Sequence, residues 1–218
     1  MKRIRLALLL ILPLVMLSLA GCASKTYFYN FDEEGDLSRS DGEWFTSNSS
    51  YSFHNGLNMN DCFAATPHYY IGDFDLTVTF GINDGSFDYG ILEIYLCTDI
   101  NPFSSDWYGG VQITGVNTLN AALNVYYNDS GLFKYIDENI PVDDELDIGE
   151  INTIKLIKRG SSLRFLINGI KVGSTMEIIG NTTDFNIPHI YSGWYGFDPP
   201  VTFKSVEIKY WGDQFLVN

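Results

Sequence analysis

Glu93 is the acid from which any catalytic reading of this chain starts. It opens the run Glu93-Ile94-Tyr95-Leu96-Cys97-Thr98, which alternates as a strand does. Cleavage of a glycosidic bond by paired carboxylates needs two acids, one to protonate the leaving oxygen and one to act as nucleophile or base. Here the next positions on the same face of the strand are Tyr95 and Cys97, neither a carboxylate. One carboxylate cannot fill both roles, so this run holds no catalytic pair. No Gly-x-Ser-x-Gly elbow, Gly-x-Gly-x-x-Gly loop or phosphate-cradling P-loop occurs elsewhere. His54, His68 and His189 stand too far apart for metal-ligand spacing.

A binding surface is better founded. If Leu92, Ile94 and Leu96 face a core, Glu93 and Tyr95 face the other way. On the next strand Val111 and Ile113 point in, which leaves Tyr108, Gln112 and Thr114 out. On the one after, Leu123, Val125 and Tyr127 point in, with Asn124 and Tyr126 out. Three successive strands then offer carboxylate, amide and tyrosine groups on one face. Sugars are recognised by such groups, because rings stack on their apolar faces and planar polar groups bridge their hydroxyls. The competing reading is a solvated sheet with ordinary cross-strand tyrosine pairs. Tyr195 is a further ligand candidate, whereas Trp194, Trp44 and Trp211 read as packing residues. His68-Tyr69-Tyr70 reads either as the lining of a cleft or as a surface loop.

The elements that must position these groups are strands. After residue 22, runs of five to ten β-branched and aromatic residues alternate with Gly, Asn, Asp and Pro punctuation. Strands are expected at 27–31, 50–54, 56–60, 74–82, 89–97, 108–114, 119–128 and 132–138. More follow at 152–158, 163–168, 170–178, 190–195 and 201–210. About a dozen short strands without a linker or repeat predict one all-β domain, a sandwich or barrel. An acid-rich stretch, Asp137 to Glu150, makes Asp143, Asp144 and Asp147 candidate ligands of a structural Ca2+, against a plain inter-strand loop.

Composition narrows the partners. The chain has 218 residues, with 13 Lys plus Arg against 27 Asp plus Glu. Without Met1 to Gly21, which hold Lys2, Arg3 and Arg5 and no acid, the balance is 10 − 27 = −17. Such an excess repels phosphate backbones and anionic lipid surfaces, which argues against nucleic acid as a partner.

Residues 1–21 read as a secretory leader: Lys2, Arg3 and Arg5, then the apolar run Leu6 to Leu19. That run is too short to span a bilayer core, which takes about 20 residues. Its end, Leu19-Ala20-Gly21-Cys22, resembles the lipobox of bacterial lipoproteins. The resemblance implies cleavage after Gly21 and a lipid-modified Cys22, with residues 22–26 as a short linker and 27–218 as the folded domain. It places the protein in the cell envelope, attached to the membrane through its lipid alone. Ala23 after the cysteine implies the outer membrane in a Gram-negative cell. Cys62 and Cys97 then remain as an even pair, either bridged or simply two buried thiols. A bridge closing a loop of about 36 residues would contribute roughly 4 kcal/mol.

A second resemblance lies in the folded part. The run Ile151-Asn-Thr-Ile-Lys-Leu-Ile-Lys-Arg-Gly-Ser-Ser-Leu-Arg-Phe-Leu-Ile-Asn-Gly-Ile-Lys-Val172 is similar to a hairpin of concanavalin A-like jelly rolls. Gly193-Trp194-Tyr195, Val201 to Ile208 and the strand Asp73 to Phe80 fit the same fold. Laminin-G-like modules, legume-type lectins, glucanases and 3-keto-disaccharide hydrolases share it. The resemblance implies an antiparallel two-sheet jelly-roll sandwich with ligands on the concave face or the rim loops. Laminarinase-type members carry Glu-x-Asp-x-x-Glu, which the run from Glu93 lacks. The leading expectation is therefore a non-catalytic carbohydrate-binding domain with a glycan partner. A glycoside hydrolase drawing acids from separate loops and a protein-binding envelope lipoprotein are the rivals.

Overall fold

The stretch Phe74 to Ile82 shows how this sequence builds its sheets. Phe74, Leu76, Val78, Phe80 and Ile82 are buried at every second position, while Thr77, Thr79 and Gly81 are partly exposed. The computed structural model describes residues 23–31, 37–39, 42–47, 50–83, 90–97, 107–115, 121–129, 132–177, 186–193 and 199–216. Cys22 and Tyr195 lie outside these residues, as does the side chain of Tyr108.

The strands in chain order begin with β1 (Lys25–Asn30), β2 (Ser38–Arg39), β3 (Gly42–Glu43), β4 (Phe45–Thr46) and β5 (Tyr51–Phe53). Next are β6 (Leu57–Met59), β7 (Cys62–Ala65), β8 (His68–Tyr70), β9 (Phe74–Ile82) and β10 (Ile91–Cys97). Then come β11 (Trp107–Thr114), β12 (Ala122–Asp129), β13 (Leu132–Pro141), β14 (Ile151–Arg159) and β15 (Ser162–Ile167). The last are β16 (Ile170–Glu177), β17 (Ile187–Gly193), β18 (Val201–Tyr210) and β19 (Gln214–Leu216).

They form two large antiparallel sheets. The first runs β16-β15-β14-β9-β18-β6-β5, with β1 also paired to β18. The second runs β13-β12-β11-β10-β17-β7-β4. The core between them takes Leu76, Val78 and Phe80 from β9, Leu156 from β14 and Val206 from β18. From the second sheet come Leu92, Ile94, Leu96, Val111, Ile113, Leu123 and Val125. This is a jelly-roll sandwich: the strand spacing predicts a sandwich or barrel, and the concanavalin A-like resemblance implies this one.

Two turns show the local chemistry. Asn168 and Gly169, both at positive φ (48° and 85°), join Ile167 to its partner Ile170. That is the two-residue turn whose twist matches paired strands, and it selects Asn-Gly. Gly160 at φ 54° makes the other tight turn, and its N–H donates to Asp73 at 2.7 Å. At one seam between the sheets, Asp137 of β13 accepts from Ser174 of β16, through the backbone N–H and the hydroxyl.

Two expectations are corrected and one open alternative is decided. Strand β17 starts at Ile187, not Ile190, and runs through Pro188. A proline is tolerated there because the ladder to β7 ends at His189, so no paired N–H is needed beyond it. His68-Tyr69-Tyr70 is neither cleft lining nor loop but strand β8, with His68 and Tyr70 buried. Of the two alternatives open for Cys62 and Cys97, the structure takes the unbridged one. Cys62 aligns with Ser192 and packs in the core, whereas Cys97 aligns with Ile187 on the opposite face of the same sheet. Thiols on opposite faces cannot meet.

The acidic stretch is a surface turn. Asn152, fully buried, accepts from the Asp147 N–H at 2.8 Å and donates to the Asp147 carbonyl at 2.8 Å. This tether leaves the Asp143, Asp144 and Asp147 residues exposed. Among the described residues no group of three acids, histidines or cysteines is gathered as a metal would require.

Candidate functional site

The register of the second sheet aligns its non-core face into two rows. The first crosses all seven strands as Tyr135, Tyr126, Gly110, Tyr95, His189, Ala65 and Phe45. Beside it run Asn124, Gln112, Glu93, Tyr191 and Phe63. One row is aromatic and the other polar at its centre. Alternation in β10, β11 and β12 puts the expected residues here, since their neighbours Leu92, Ile94, Val111, Ile113, Leu123 and Val125 fill the core.

The aromatic row is packed ring to ring. Tyr95 stacks on His189 with centroids 5.1 Å apart and planes 14° apart. Phe63 lies 5.5 Å from His189 and 6.0 Å from Phe45. Tyr126 meets Tyr135 edge to face at 6.5 Å. The His189 Nδ1 lies 2.9 Å from the Ile187 carbonyl, which fixes the ring.

The polar row is a directed relay. The Asn139 N–H donates to Asn124 Oδ1 at 2.8 Å, and Asn124 Nδ2 donates to Gln112 Oε1 at 3.4 Å. Gln112 Nε2 in turn donates to Glu93 Oε1. Tyr126 supplies Glu93 with another hydrogen bond. Each amide accepts on one side and donates on the other, so neither can flip without breaking two bonds. Glu93 is the terminal acceptor, and both of its partners are neutral.

Burial is the largest influence on Glu93 and raises its carboxyl above the usual carboxylate range. The hydrogen bonds from Gln112 and Tyr126 act in the opposite sense and are outweighed. Burial likewise pushes the Tyr95 and Tyr126 hydroxyls well up, reinforced by neighbouring Cys97 and Glu93. Both tyrosines are therefore neutral donors throughout the physiological range.

A consequence for stability follows. An acid whose folded pKa is raised favours the folded state while both states are protonated. That advantage is lost as pH rises from the unfolded value, near 4.5, through the raised folded value. Glu93→Gln keeps an acceptor for Gln112 and Tyr126 but removes this loss. The variant should melt higher than the parent at neutral pH, and the gap should close as pH falls towards 4.5. Thermal melts across that range read it directly; a parent stability that rises with pH relative to the variant would overturn the assignment.

The structure thus brings together Glu93, Tyr95, Gln112, Asn124 and Tyr126. It departs from a solvated face in one respect: Tyr95 is only 6% exposed, Asn124 6% and Tyr126 3%. Gln112 and Glu93 remain partly exposed. Tyr108 lies on β11 where the register to β10 shifts, between the pairs Leu96/Gly109 and Cys97/Trp107. Sequence reasoning missed His189, Phe63, Tyr135 and Tyr191. His189 precedes the expected start of its strand, and β7, which carries Phe63, shows no alternation because both its faces are buried. Tyr191 donates to Asp61 at 2.7 Å and so ties the row to the turn before β7.

Comparison with protein-family models and with curated proteins returns no match. Solved structures do match in fold. The CBM2 module of the evolved Dit of Lactobacillus casei BL23 phage J-1 has TM-score 0.61 and 8% identity over 86% of this chain and 96% of that one. The metal-free carbohydrate recognition domain of Emp46p has TM-score 0.58 and 15% identity over 85% and 95%. Domain 4 of AbnA, an extracellular arabinanase of Geobacillus stearothermophilus solved with arabinotriose, has TM-score 0.53 and 10% identity over 86% and 93%. At these identities the likeness is one of fold, and it places the chain among lectin-like jelly rolls.

Proposed function

We propose that this chain is a carbohydrate-binding envelope lipoprotein that holds a glycan on the non-core face of its second sheet and does not cleave it. The observation that carries the reading is the relay Asn139–Asn124–Gln112–Glu93, laid beside a row of aromatic rings outside the core. The partly exposed Gln112 amide and Glu93 carboxyl, held in place by the relay, suit the hydroxyl pairs of a sugar. The exposed rings of Tyr135 and Phe45 at the ends of the row suit its apolar faces. The fold neighbours lend support, since one is named as a carbohydrate recognition domain and another is in complex with arabinotriose.

Binding is preferred to hydrolysis because of what adjoins Glu93. Its cross-strand neighbours are Gln112 and Tyr191, and its hydrogen-bond partners are Gln112 and Tyr126. Two-carboxylate cleavage needs a second acid roughly 5–9.5 Å away, whereas the groups that touch Glu93 among the described residues are neutral.

Screening the chain from Ala23 onward on a glycan array, with and without calcium, tests the reading. We expect a hit that Tyr126→Ala weakens at least tenfold, because that change removes a ring and a bond to Glu93. A folded Tyr126→Ala protein binding as tightly as the parent would move the site off this face. A blank across plant, host and bacterial glycans would favour the protein-binding alternative.

A further inference from the structure

The mature chain is strongly acidic as a whole, yet its basic residues are gathered. Six of the ten that follow residue 22 lie on the outer face of the first sheet or at the end where the chain joins it: Lys25, Lys155, Arg159, Arg164, Lys171 and Lys209. Five acids share that region, Asp73, Asp75, Glu177, Glu207 and Asp213, so its balance is 6 − 5 = +1. Elsewhere the described side chains include 3 basic and 9 acidic residues, 3 − 9 = −6. Among the described side chains the charge is therefore uneven, and an anionic surface meets least repulsion at this face.

Apolar groups accompany the charges. Trp211 continues β18 and lies under Arg159, 4.5 Å from its ring, and Lys209, 5.5 Å away. Beyond it β19 exposes Phe215 (44%) and Leu216 (49%), and on β1 Phe28 is 47% exposed. Rings and aliphatic groups interleaved with Lys and Arg match a bilayer interface, where amphipathic side chains bury stems and leave charges among headgroups. Strand β1 begins at Lys25, only Ala23 and Ser24 after the cysteine assigned as lipid-bearing.

We propose that this end and outer face of the first sheet form a contact surface for an anionic bilayer, so that the domain lies against its membrane with the second sheet turned outward. The choice of a bilayer as occupant rests on reading Cys22 as an anchor. A lipid tether fixes distance but not orientation; the basic-aromatic patch supplies orientation.

The test uses the unlipidated chain Ala23–Asn218, which contains every strand of the fold, in co-sedimentation with vesicles. Phosphatidylcholine vesicles containing about a third phosphatidylglycerol should bind it measurably and pure phosphatidylcholine should not, and salt should reverse the binding. The triple variant Lys25→Glu/Arg164→Glu/Lys209→Glu should bind at least about tenfold more weakly. Lys134→Glu, on the other sheet, should not change binding. Melting curves confirm that each variant is folded. Equal binding to both vesicle types, or to neither, overturns the proposal. So does retention on a soluble polyanion such as heparin without vesicle binding, which would reassign the face. Palmitate labelling of the full chain tests Cys22 separately, so the two readings fail distinguishably.

Discussion

Gly110→Ala is expected to destabilise the chain by about 3 kcal/mol, the upper part of the range for overpacking. A β-carbon at this position would sit 2.3 Å from the Ile94 carbonyl oxygen and 2.6 Å from the Tyr95 Cβ. The first is backbone of the central strand β10 and cannot swing away. For a domain of this size the midpoint of thermal unfolding should fall by roughly 6–12 °C. Its neighbour is the internal control. A β-carbon at Gly109 would meet the Met176 Cε at 2.6 Å, the mobile end of a flexible side chain. Gly109→Ala should therefore cost about 1 kcal/mol. Equal melting of the two variants would show that the β10–β11 approach is not as tight as described.

Gly110 also bears on the site. Tyr126 stands opposite Gly110 on β12 yet bonds Glu93 on β10, so its ring spans β11 at this point. Any side chain there would lift the ring and break the bond. Loss of glycan binding should accordingly accompany the loss of stability in Gly110→Ala. Glycine is required here for close approach, and no turn geometry is involved.

Much of this arrangement is legible from residue order, because a strand's period of two is blunt but reliable. The parities of Leu92/Glu93, Ile113/Gln112 and Val125/Asn124 assign those residues to opposite faces, as the structure does. What parity cannot tell is whether the second face is wet. Tyr95 and Tyr126 are as buried as core residues, although they lie outside the core. The same blindness hid β7, whose residues Cys62 to Ala65 are buried on both sides and show no alternation. Without β7 the opposite facing of Cys62 and Cys97 could not be foreseen. Distance along the chain said nothing of which side each thiol takes.

Cys22→Ser should be an all-or-none change. We read Cys22 as the acylated residue, so the full chain carrying serine there should incorporate no palmitate in cells. By the lipobox resemblance, which implies cleavage just before a lipid-modified Cys22, the variant is also expected to keep residues 1–21. Fractionation alone would mislead, since the retained apolar run Leu6 to Leu19 would still hold the precursor at the membrane. Acyl label and leader removal are the informative measurements. Each buried methylene contributes about 0.8 kcal/mol, and one chain holds a protein only reversibly, whereas two or three hold it stably. Palmitate label in the serine variant would refute the anchor. With the anchor intact, two residues at no more than about 3.6 Å each separate Cys22 from Lys25. So short a tether leaves the domain little choice but to meet the bilayer near the start of β1. That is where Lys25, Lys209, Arg159 and Trp211 converge, and lengthening the tether after Ser24 should weaken this contact while leaving the acyl label in place.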